Sequence, residues 1–566
     1  MRFRPLPLLA AVLAALLVAA FLIFRSDRAD VLYVNAVVHT LDPSQPVASA
    51  FAVGGDCIVA VGASEELRAS VSADTVVDLR GATVLPGLID AHAHVQSLGA
   101  LLATLNLATT SSVEEIQAMV RSSARGLPPG SWIRGRGWDQ NRWPTRRFPH
   151  RSALDRAAES HPVVLVRIDG HAAWVSSSVL VLAGIGPGTP DPDGGRIVRD
   201  ESGEPTGVLI DNALSLLDSV IPRPSLKERE QFIETALHEC VRYGLSAVHD
   251  MGVDLEGVGI YKTLAQEGRL PLRVYVVLDA PGPAWEHYRE HGPEIDLYGG
   301  MLTVRAVKLY ADGALGSRGA ALIRPYADDP GNRGLTLSSH QELLEVSREA
   351  LSAGFQVCTH AIGDRANSIV LDVYKEALND NVDIMLDHRF RVEHAQVLDP
   401  ADVPRFAALG VLPSMQPTHC TSDMYWAEDR LGPERARGAY AWRALIDAGS
   451  VIPAGSDFPV ESPNPLLGLY AAITRQDLEG WPLEGWHPEQ RMSRHEALMS
   501  YTLWGAYAAF QEARKGSIAP GFLADCTVLS VDPMKAPPRE LLDSGVLLTI
   551  VGGREVYRAA GDLAVR

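Results

Sequence analysis

Eight apolar segments that alternate with amphipathic helices constrain the fold of this 566-residue chain more than any other feature. Each segment is short and rich in Val, Ile and Leu, as the buried strands of a parallel sheet are. The segments are 82–92, 245–252, 272–280, 302–313, 354–361, 390–396, 410–416 and 449–457. Helical patterns such as 225–244 and 339–354 separate them. This alternation predicts an α/β protein built on a (β/α)8 TIM barrel.

Two further parts are expected around this barrel. The spacing between the first two segments exceeds 150 residues, which predicts an inserted subdomain over 105–225 after the first strand. Short strand-like runs at both chain ends are each too small to form a core alone, so they predict one small β-sandwich over 29–82 with 515–566. The barrel domain then covers 83–514 and includes the insertion.

The first residues, 1–28, are treated separately from the fold. Arg2 and Arg4 precede an uncharged apolar run over 6–24, whose 19 residues just span a hydrocarbon core of ~30 Å as a helix. We expect a transmembrane helix acting as an anchor, in preference to a cleaved signal peptide. The chain is therefore predicted to be membrane-anchored or exported to the periplasmic side of the cell envelope.

Charge and cysteine content exclude several classes of protein. Lys and Arg number 51 against 69 Asp and Glu, for a net charge of −18, and a nucleic-acid partner is therefore not expected. The five cysteines lie far apart without a C-x-x-C motif, which argues against a thiolate zinc cluster and a disulfide framework.

Polar residues with metal-binding chemistry lie at or near the ends of five of the eight segments. Two histidines two positions apart on one strand point to the same face and can ligate one ion together. Active sites of such barrels lie at the carboxyl ends of the strands. The candidate metal ligands are His92, His94, Lys308, His360, His394 and Asp457.

Lys308 needs a chemical explanation, because an ammonium group repels cations and has no lone pair. A buried, neutral lysine can add carbon dioxide and become a carbamate, whose oxygens can bridge two metal ions. The alternative is an ordinary lysine paired with Asp312 or Asp457.

Several motifs together resemble the amidohydrolase superfamily. They are VLPGLIDAHAH, the later single histidines, GSDFPV and KGSIAPGFLADCTVLS. Others are similar to its family-three branch, which includes YtcJ-like proteins and N-substituted formamide deformylases: RGRGWDQNRWP, VRIDGHAAWVSS, PDGGRIVRDESGEPTGVLID, VKLYADGALGSRGA and CTHAIGDRA. The resemblance extends from about Ala29 to the C-terminus.

This resemblance implies how the candidate residues divide their roles. His92 and His94 would bind one metal, His360 and His394 a second, and a carboxylated Lys308 would bridge them. Asp457 would contact the first metal and shuttle protons. One or two divalent ions are expected, with zinc favoured over manganese or iron.

The predicted function is metal-dependent hydrolysis of a small amide-type or formamide-type substrate at a carbon–nitrogen bond other than a peptide bond. A metal-bound hydroxide would attack the carbonyl carbon, with Asp457 as the proton shuttle. An esterase or lactonase acting through the same metal site, and a relative that kept the barrel but lost catalysis, remain alternatives. Homo-oligomerisation is left open.

Four residues are weaker candidates for substrate binding, since each has an equally simple structural role. They are His171, Trp138, Asp364 and Arg365. Trp138 would otherwise pack in a core, and Asp364 with Arg365 would otherwise form an ion pair at a helix start. Two further histidines near strand ends, His249 and His419, are candidates for supporting the ligands or touching substrate.

Overall fold

The computed structural model describes residues 28–107, 109–140, 143–167, 172–192, 195–379 and 387–560, and the backbone of 564–565. The chain divides into two compact units. The first contains the chain up to His94 and from Leu237 onward, and the second is Val95–Ala236. The predicted insertion, 105–225, falls inside the second unit.

Seven parallel strands form a nearly closed barrel sheet in the first unit, and each pairs with the strand that follows it along the chain. The first to seventh barrel strands are Leu88–Ala93, Leu245–Val253, Arg273–Asp279, Leu302–Tyr310, Gln356–Ala361, Arg391–His394 and Leu412–Ser414. A short strand, Glu294–Asp296, adds to the fourth in antiparallel orientation. The predicted barrel is thereby confirmed.

The segment 452–458 closes the barrel in place of an eighth strand. It makes parallel bridges to the ends of the seventh and first strands, and the Asp457 N–H donates to the His92 carbonyl oxygen at 2.8 Å. The continuous strand predicted over 449–457 is not formed. Pro453 has no N–H to donate, and Asp457 has a φ of +60°, which lies outside the β region.

Two sheets made from both chain ends form the small sandwich of the first unit. One contains Arg28–Val34, Ala50–Gly54, Cys57–Gly62, Ser72–Asp78 and Ala564–Val565. The other contains Val37–His39, Val47–Ala48, Thr83–Pro86, Cys526–Leu529, Val546–Val551 and Arg554–Arg558. Tyr33 and Phe51 of one sheet share a buried cluster with Val84 and Ile550 of the other. The predicted single strand 82–92 is thus two strands, one in the sandwich and one in the barrel.

Helices follow most barrel strands, and local capping fixes where several of them begin. The helix His340–Ser352 starts at Ser339, which forms a capping box with Glu342. Its buried face includes Leu343 and Leu351. The remaining α-helices of the first unit are Ser64–Ser70, Leu255–Gln266, Pro283–His291, Leu297–Gly300, Asp364–Asn379, Val403–Leu409, Pro417–Asp423, Ala427–Leu431, Pro433–Ala436, Trp442–Asp447, Pro465–Thr474, Arg494–Ser500 and Leu503–Ala508. Short 3-10 turns cover Pro488–Gln490 and Pro538–Leu541.

The second unit is built on its own six-stranded mixed sheet. In sheet order its strands are Gly195–Arg199, Pro205–Asp211, Ala172–Val175, Val163–Arg167, Ile133–Trp138 and Leu105–Asn106. Its helices are Val95–Leu102, Val113–Ala124, Arg151–Ala157 and Ser177–Leu182, with a 3-10 turn at Asn212–Leu217. The helix Leu226–Arg242 begins in this unit and ends in the first. A buried cluster around Trp138, Leu165 and Trp174 forms its core.

The predicted localisation needs correction. Within the part of the chain that the structure describes, no helix is both long enough and apolar enough to cross a bilayer. The segment 6–24, on which the prediction of an anchored or exported protein rested, lies outside the described residues. The prediction of a membrane-anchored or exported protein is wrong on the finding for the described residues.

Candidate metal centre

All six candidate ligands line one cavity of about 420 Å³ in the first unit. Its deep wall carries the histidines, Lys308 and Asp457. The parallel barrel explains the convergence, because the carboxyl ends of neighbouring strands meet at one edge of the sheet. These residues are separated by up to 365 positions in sequence and are brought together only by the closed sheet.

His92, His94 and Asp457 form a first triplet whose ligand atoms all lie within 4.8 Å of one another. His94 Nε2 is 3.1 Å and His92 Nε2 is 3.5 Å from the same oxygen, Oδ1 of Asp457. Zinc binds such nitrogen and oxygen donors at ~2.0–2.2 Å, so one ion fits between atoms spaced in this way. The His94 Nδ1 lies 3.2 Å from the carbonyl oxygen of Met251, which can only accept. The Nε2 of His94 therefore presents its lone pair to the site.

Glu393 orients His92 and was not found from the sequence. Its Oε2 lies 2.5 Å from His92 Nδ1, and both side chains are buried. Arg391 completes the pair, with its Nε 2.8 Å from Glu393 Oε1. Burial alone would raise the pKa of Glu393, but Arg391 and His92 outweigh it and hold that pKa well below its usual range. A histidine supported by a carboxylate in this way is the arrangement that metal-binding histidines characteristically show.

Arg391 is itself fixed by three further contacts. Its Nη2 donates to the Ala91 carbonyl oxygen at 2.5 Å and to Ser414 Oγ at 2.8 Å, and its Nη1 donates to His249 Nδ1 at 3.0 Å. His249 is fully buried and supports this network, not the cavity wall. The network ties three barrel strands and the support of His92 together.

Lys308 is 1 % exposed, and its Nζ lies 3.5 Å from His92 Nε2. Among the described residues no carboxylate lies within 4.0 Å of this nitrogen, so the alternative pairing with Asp312 or Asp457 is not formed. Burial lowers the pKa of Lys308 below its ordinary value, although Glu393 and Asp457 act in the opposite direction. The amine is therefore less basic than a solvated lysine.

His394, His419 and Asp457 form a second triplet of ligand atoms within 4.8 Å. The Nδ1 of His394 is 2.7 Å from Gln416 Oε1, which leaves Nε2 to face the cavity. The His360 ring lies 4.5 Å from the His394 ring, but His360 belongs to neither triplet. The resemblance implied that His360 and His394 bind one metal together. The structure also places His419 beside His394.

The surroundings of the His360 ring differ from those of the other candidate histidines. Its Nε2 is 3.6 Å from Asp312 Oδ1 and has no hydrogen-bond partner among the residues that the structure describes. Asp312 itself accepts from the backbone N–H groups of Ile362 and Gly363, at 2.9 and 2.8 Å. These bonds fix the turn after the fifth strand, on which His360 stands. At 3.6 Å the contact between Nε2 and Asp312 is too long for a hydrogen bond, so it does not fix which ring nitrogen carries the proton.

Burial sets the protonation of the site. It lowers the pKa of His92 to about 4 and that of His360 to about 3, and Lys308 acts in the same direction. It also lowers the pKa of His394 well below the ordinary value. Burial would raise the pKa of Asp457, but the surrounding histidines hold it well below its usual range. Neutral imidazoles and an ionised carboxylate are the forms that bind metals.

Close backbone packing positions Asp457. A Cβ on Gly455 would lie 2.4 Å from the His92 backbone nitrogen and 2.7 Å from Asp90 Oδ1, so only glycine fits there. Asp90 in turn accepts from the Ser456 hydroxyl at 2.6 Å. Glycine at this position therefore brings segment 452–458 against the first strand.

The weaker candidates lie elsewhere. Trp138 is fully buried in the core of the second unit, where its Nε1 donates to the Leu165 carbonyl oxygen at 2.7 Å. Asp364 accepts from the Ile323 N–H at 2.7 Å and from the Arg365 N–H at 2.9 Å. Neither Asp364 nor Arg365 lines the cavity, and the expected ion pair between their side chains is absent from the described contacts. His171 lies outside the described residues.

The outer wall of the cavity combines apolar and acidic groups. Trp426, Leu315 and Val460 line it together with Asp423 and Glu461. Apart from Lys308 and the histidines, no basic residue is among the lining side chains in the described chain. Beyond the candidate ligands, the cavity lining therefore offers carboxyl groups and one large aromatic ring.

Comparison with known proteins assigns the family. The model described as "Amidohydrolase family" matches residues 75–557. The chain belongs to the amidohydrolase family. The YtcJ protein of Bacillus subtilis (strain 168) is 34 % identical over 85 % of this chain and 90 % of its own length. The N-substituted formamide deformylase of Arthrobacter pascens is 29 % identical over 94 % of this chain and 99 % of its own.

A solved structure supports the same assignment. An uncharacterized metal-dependent hydrolase from Pyrococcus horikoshii superposes with a TM-score of 0.74 at 27 % identity, covering 90 % of this chain and 99 % of that one. The chain is thus a member of the amidohydrolase family with a TIM barrel, and the predicted superfamily and family-three branch are confirmed.

Proposed function

We propose that this amidohydrolase hydrolyses the carbon–nitrogen bond of a small, non-peptide amide or formamide. The observation that carries the proposal is the first triplet, His92, His94 and Asp457, at the base of a cavity large enough for a small molecule. The formamide deformylase similar over 94 % of this chain supports the bond type. An ester or lactone bond is the alternative.

The donor set fits one or two divalent ions, and we propose zinc. Imidazole nitrogens and a carboxylate oxygen are typical zinc ligands. The first triplet offers one metal position, and the rings of His360 and His394, 4.5 Å apart in the same cavity, offer nitrogen donors for a second. A bound divalent metal supplies a Lewis acid that polarises a carbonyl group and acidifies a water molecule.

Asp457 is proposed as the proton shuttle. Its pKa lies well below the usual range, so the carboxylate is ionised at neutral pH and can accept a proton from the attacking water. It then returns this proton to the departing nitrogen, because an amide nitrogen leaves poorly without one. The carboxylate is positioned through its backbone, since the Asp457 N–H donates to the His92 carbonyl oxygen at 2.8 Å.

Carboxylation of Lys308 is proposed to complete the ligand set. The amine would add carbon dioxide and release one proton, which gives a carbamate whose oxygens could bind metal beside His92. Burial and the absence of a carboxylate within 4.0 Å of Nζ among the described residues support this modification. His360 and the Nε2 of His394 are the proposed nitrogen ligands for the second metal position.

The experiment compares zinc-loaded and chelator-treated protein on an N-substituted formamide and on an aryl ester, with Asp457→Asn beside the wild type. We expect zinc-dependent formamide turnover that falls by ~10²–10⁴-fold in the variant, with most of its metal retained. The loss should be smaller for the ester, because a phenoxide leaves without receiving a proton. Ester turnover without formamide turnover would replace the proposal with an esterase, and no metal-dependent turnover of either would reject it.

A further inference from the structure

His419 stands in the cavity with an unsatisfied nitrogen. It lies in the helix Pro417–Asp423, directly after the seventh barrel strand, and lines the cavity beside the proposed metal centre. Its Nε2 is buried and has no hydrogen-bond partner among the described residues. A buried donor without a partner costs ~1–3 kcal/mol, so such an atom in a binding cavity points to a ligand that satisfies it.

The position of this nitrogen is well defined. His419 Nε2 lies 3.7 Å from Asp457 Oδ2, whereas His94 faces the other carboxylate oxygen, Oδ1. The His419 ring is nearly parallel to that of His394, at 14° and 6.0 Å between centroids. Gln416 contacts both residues, since its backbone carbonyl oxygen accepts from the backbone N–H of His419 at 3.1 Å and its side chain contacts His394 Nδ1 at 2.7 Å.

The hydrogen bonds separate His419 from the proposed ligands. In His92, His94 and His394, Nδ1 faces an acceptor oxygen of Glu393, Met251 or Gln416, which fixes the proton on Nδ1 and leaves Nε2 free for a metal. No such acceptor contacts the Nδ1 of His419 among the described residues. Without an acceptor that holds the proton on Nδ1, the proton of His419 can reside on Nε2, which lies 3.7 Å from a carboxylate oxygen that only accepts.

We propose that His419 is a catalytic residue that donates a hydrogen bond from Nε2 to the substrate carbonyl oxygen as that oxygen gains negative charge. The proposal rests on the hydrolytic function proposed above. A donor fixed before reaction beside the attacked carbonyl stabilises the transition state more than the substrate, because hydrogen bonds to a charged oxygen are stronger. Its contribution should therefore be to kcat more than to KM.

The test compares His419→Ala and His419→Gln with the wild type, and uses His340→Ala, an exposed histidine paired with Glu376, as the matched control. Each protein is checked by thermal unfolding and by bound metal per chain. We expect His419→Ala to keep wild-type metal content and to lose ~10²–10³-fold in kcat on an N-substituted formamide. His419→Gln, whose amide N–H can donate, should recover part of this loss.

A second readout does not depend on turnover. A short alkylphosphonate presents a tetrahedral anion, and its binding to the zinc-loaded proteins is measured by calorimetry. We expect His419→Ala to bind it at least about tenfold more weakly, and His340→Ala to bind it as the wild type does. If the wild type hydrolyses neither the formamide nor the aryl ester, the function proposed above fails. Weaker phosphonate binding by His419→Ala would still support His419 as a hydrogen-bond donor.

Three results would overturn the donor role. Loss of metal from His419→Ala would make His419 a ligand. If the wild type is active and His419→Ala has the same kcat, His419 has no part in the reaction. Equal phosphonate binding by the wild type and His419→Ala would show that Nε2 contacts no developing anion.

Discussion

Glu393→Gln is the substitution whose consequences the structure defines best. The carboxylate has two buried partners, His92 Nδ1 at 2.5 Å and Arg391 Nε at 2.8 Å. Glutamine keeps the shape but loses the charge, so Arg391 becomes a buried cation without a counterion. Breaking one side of a buried ion pair costs ~3–5 kcal/mol. Arg391 keeps three neutral contacts, to Ala91, Ser414 and His249, which places the expected loss near the lower end, at ~3 kcal/mol.

This loss converts into a measurable shift of the unfolding temperature. Unfolding entropy is ~2.1 cal/mol/K per residue, so a cooperative unit of roughly 400 residues loses ~3–4 °C for ~3 kcal/mol. The shift is measured on metal-free protein, so that metal binding does not contribute. Glu376→Gln, in an exposed pair with Arg348, is the control and should shift by well under 1 °C.

Metal affinity should fall for a separate reason. Glu393 holds the proton of His92 on Nδ1, and removing such a support typically weakens metal binding ~10–100-fold. The double substitution Arg391→Met with Glu393→Gln removes the unpaired cation and should recover stability, because a buried pair replaced by uncharged groups is often neutral. It should not recover metal affinity. Recovery of both together, or a Glu393→Gln protein with unchanged unfolding temperature and metal affinity, would refute the role assigned to this carboxylate.

Three further predictions follow from the same geometry. Lys308→Ala should lose activity, and added short carboxylic acids should restore part of it if a carbamate normally occupies that space; an unmodified lysine could not be replaced in this way. Metal content, measured after gel filtration, should persist well below pH 6.5 and fall toward pH 4. The reason is that burial lowers the pKa of His92 to about 4 and that of His360 to about 3, which keeps both imidazoles neutral. Metal release with a midpoint near pH 6.5 would contradict this. Gly455→Ala should cost ~1–3 kcal/mol in denaturant unfolding and reduce bound metal, because its Cβ would meet the His92 backbone at 2.4 Å; wild-type stability would show that the segment can move aside.

The sequence predicts the barrel and the convergence of its ligands because both follow from local patterns. His92 and His94 stand two apart on an apolar strand, and single His or Lys residues end later strands, so a closed parallel sheet must bring them together. The split of 82–92 into two strands was not predictable in this way. Both halves are apolar, and only the pairing of Thr83–Pro86 with a strand more than 400 residues later separates them.

The supporting residues could not be predicted, because their partners are distant in sequence. Glu393 looks like an ordinary charged residue next to a histidine, and its role depends on His92, 301 residues away. Gln416 lies between a short strand and the helix that begins with Pro417, and nothing local distinguishes it from a surface residue, whereas the position of His419 near a strand end did make it a candidate. Trp138, conversely, lies in a motif-like run but packs in a core.

Backbone strain at His394 explains how two consecutive residues, Glu393 and His394, both approach the His92 ring. Side chains of consecutive strand residues point to opposite faces, so Glu393 and His394 should not both reach His92. Glu393 contacts the His92 ring directly, and the His394 ring lies 4.9 Å from it. A φ of +74° at His394 breaks the alternation and turns its imidazole into the cavity. Such a backbone costs ~1–3 kcal/mol for a residue with a Cβ, and it persists because the surrounding hydrogen bonds determine it. Asp457 has a similar backbone, at φ +60°, next to Ser456, whose hydroxyl donates to Asp90. Both residues with this strained backbone, His394 and Asp457, line the cavity.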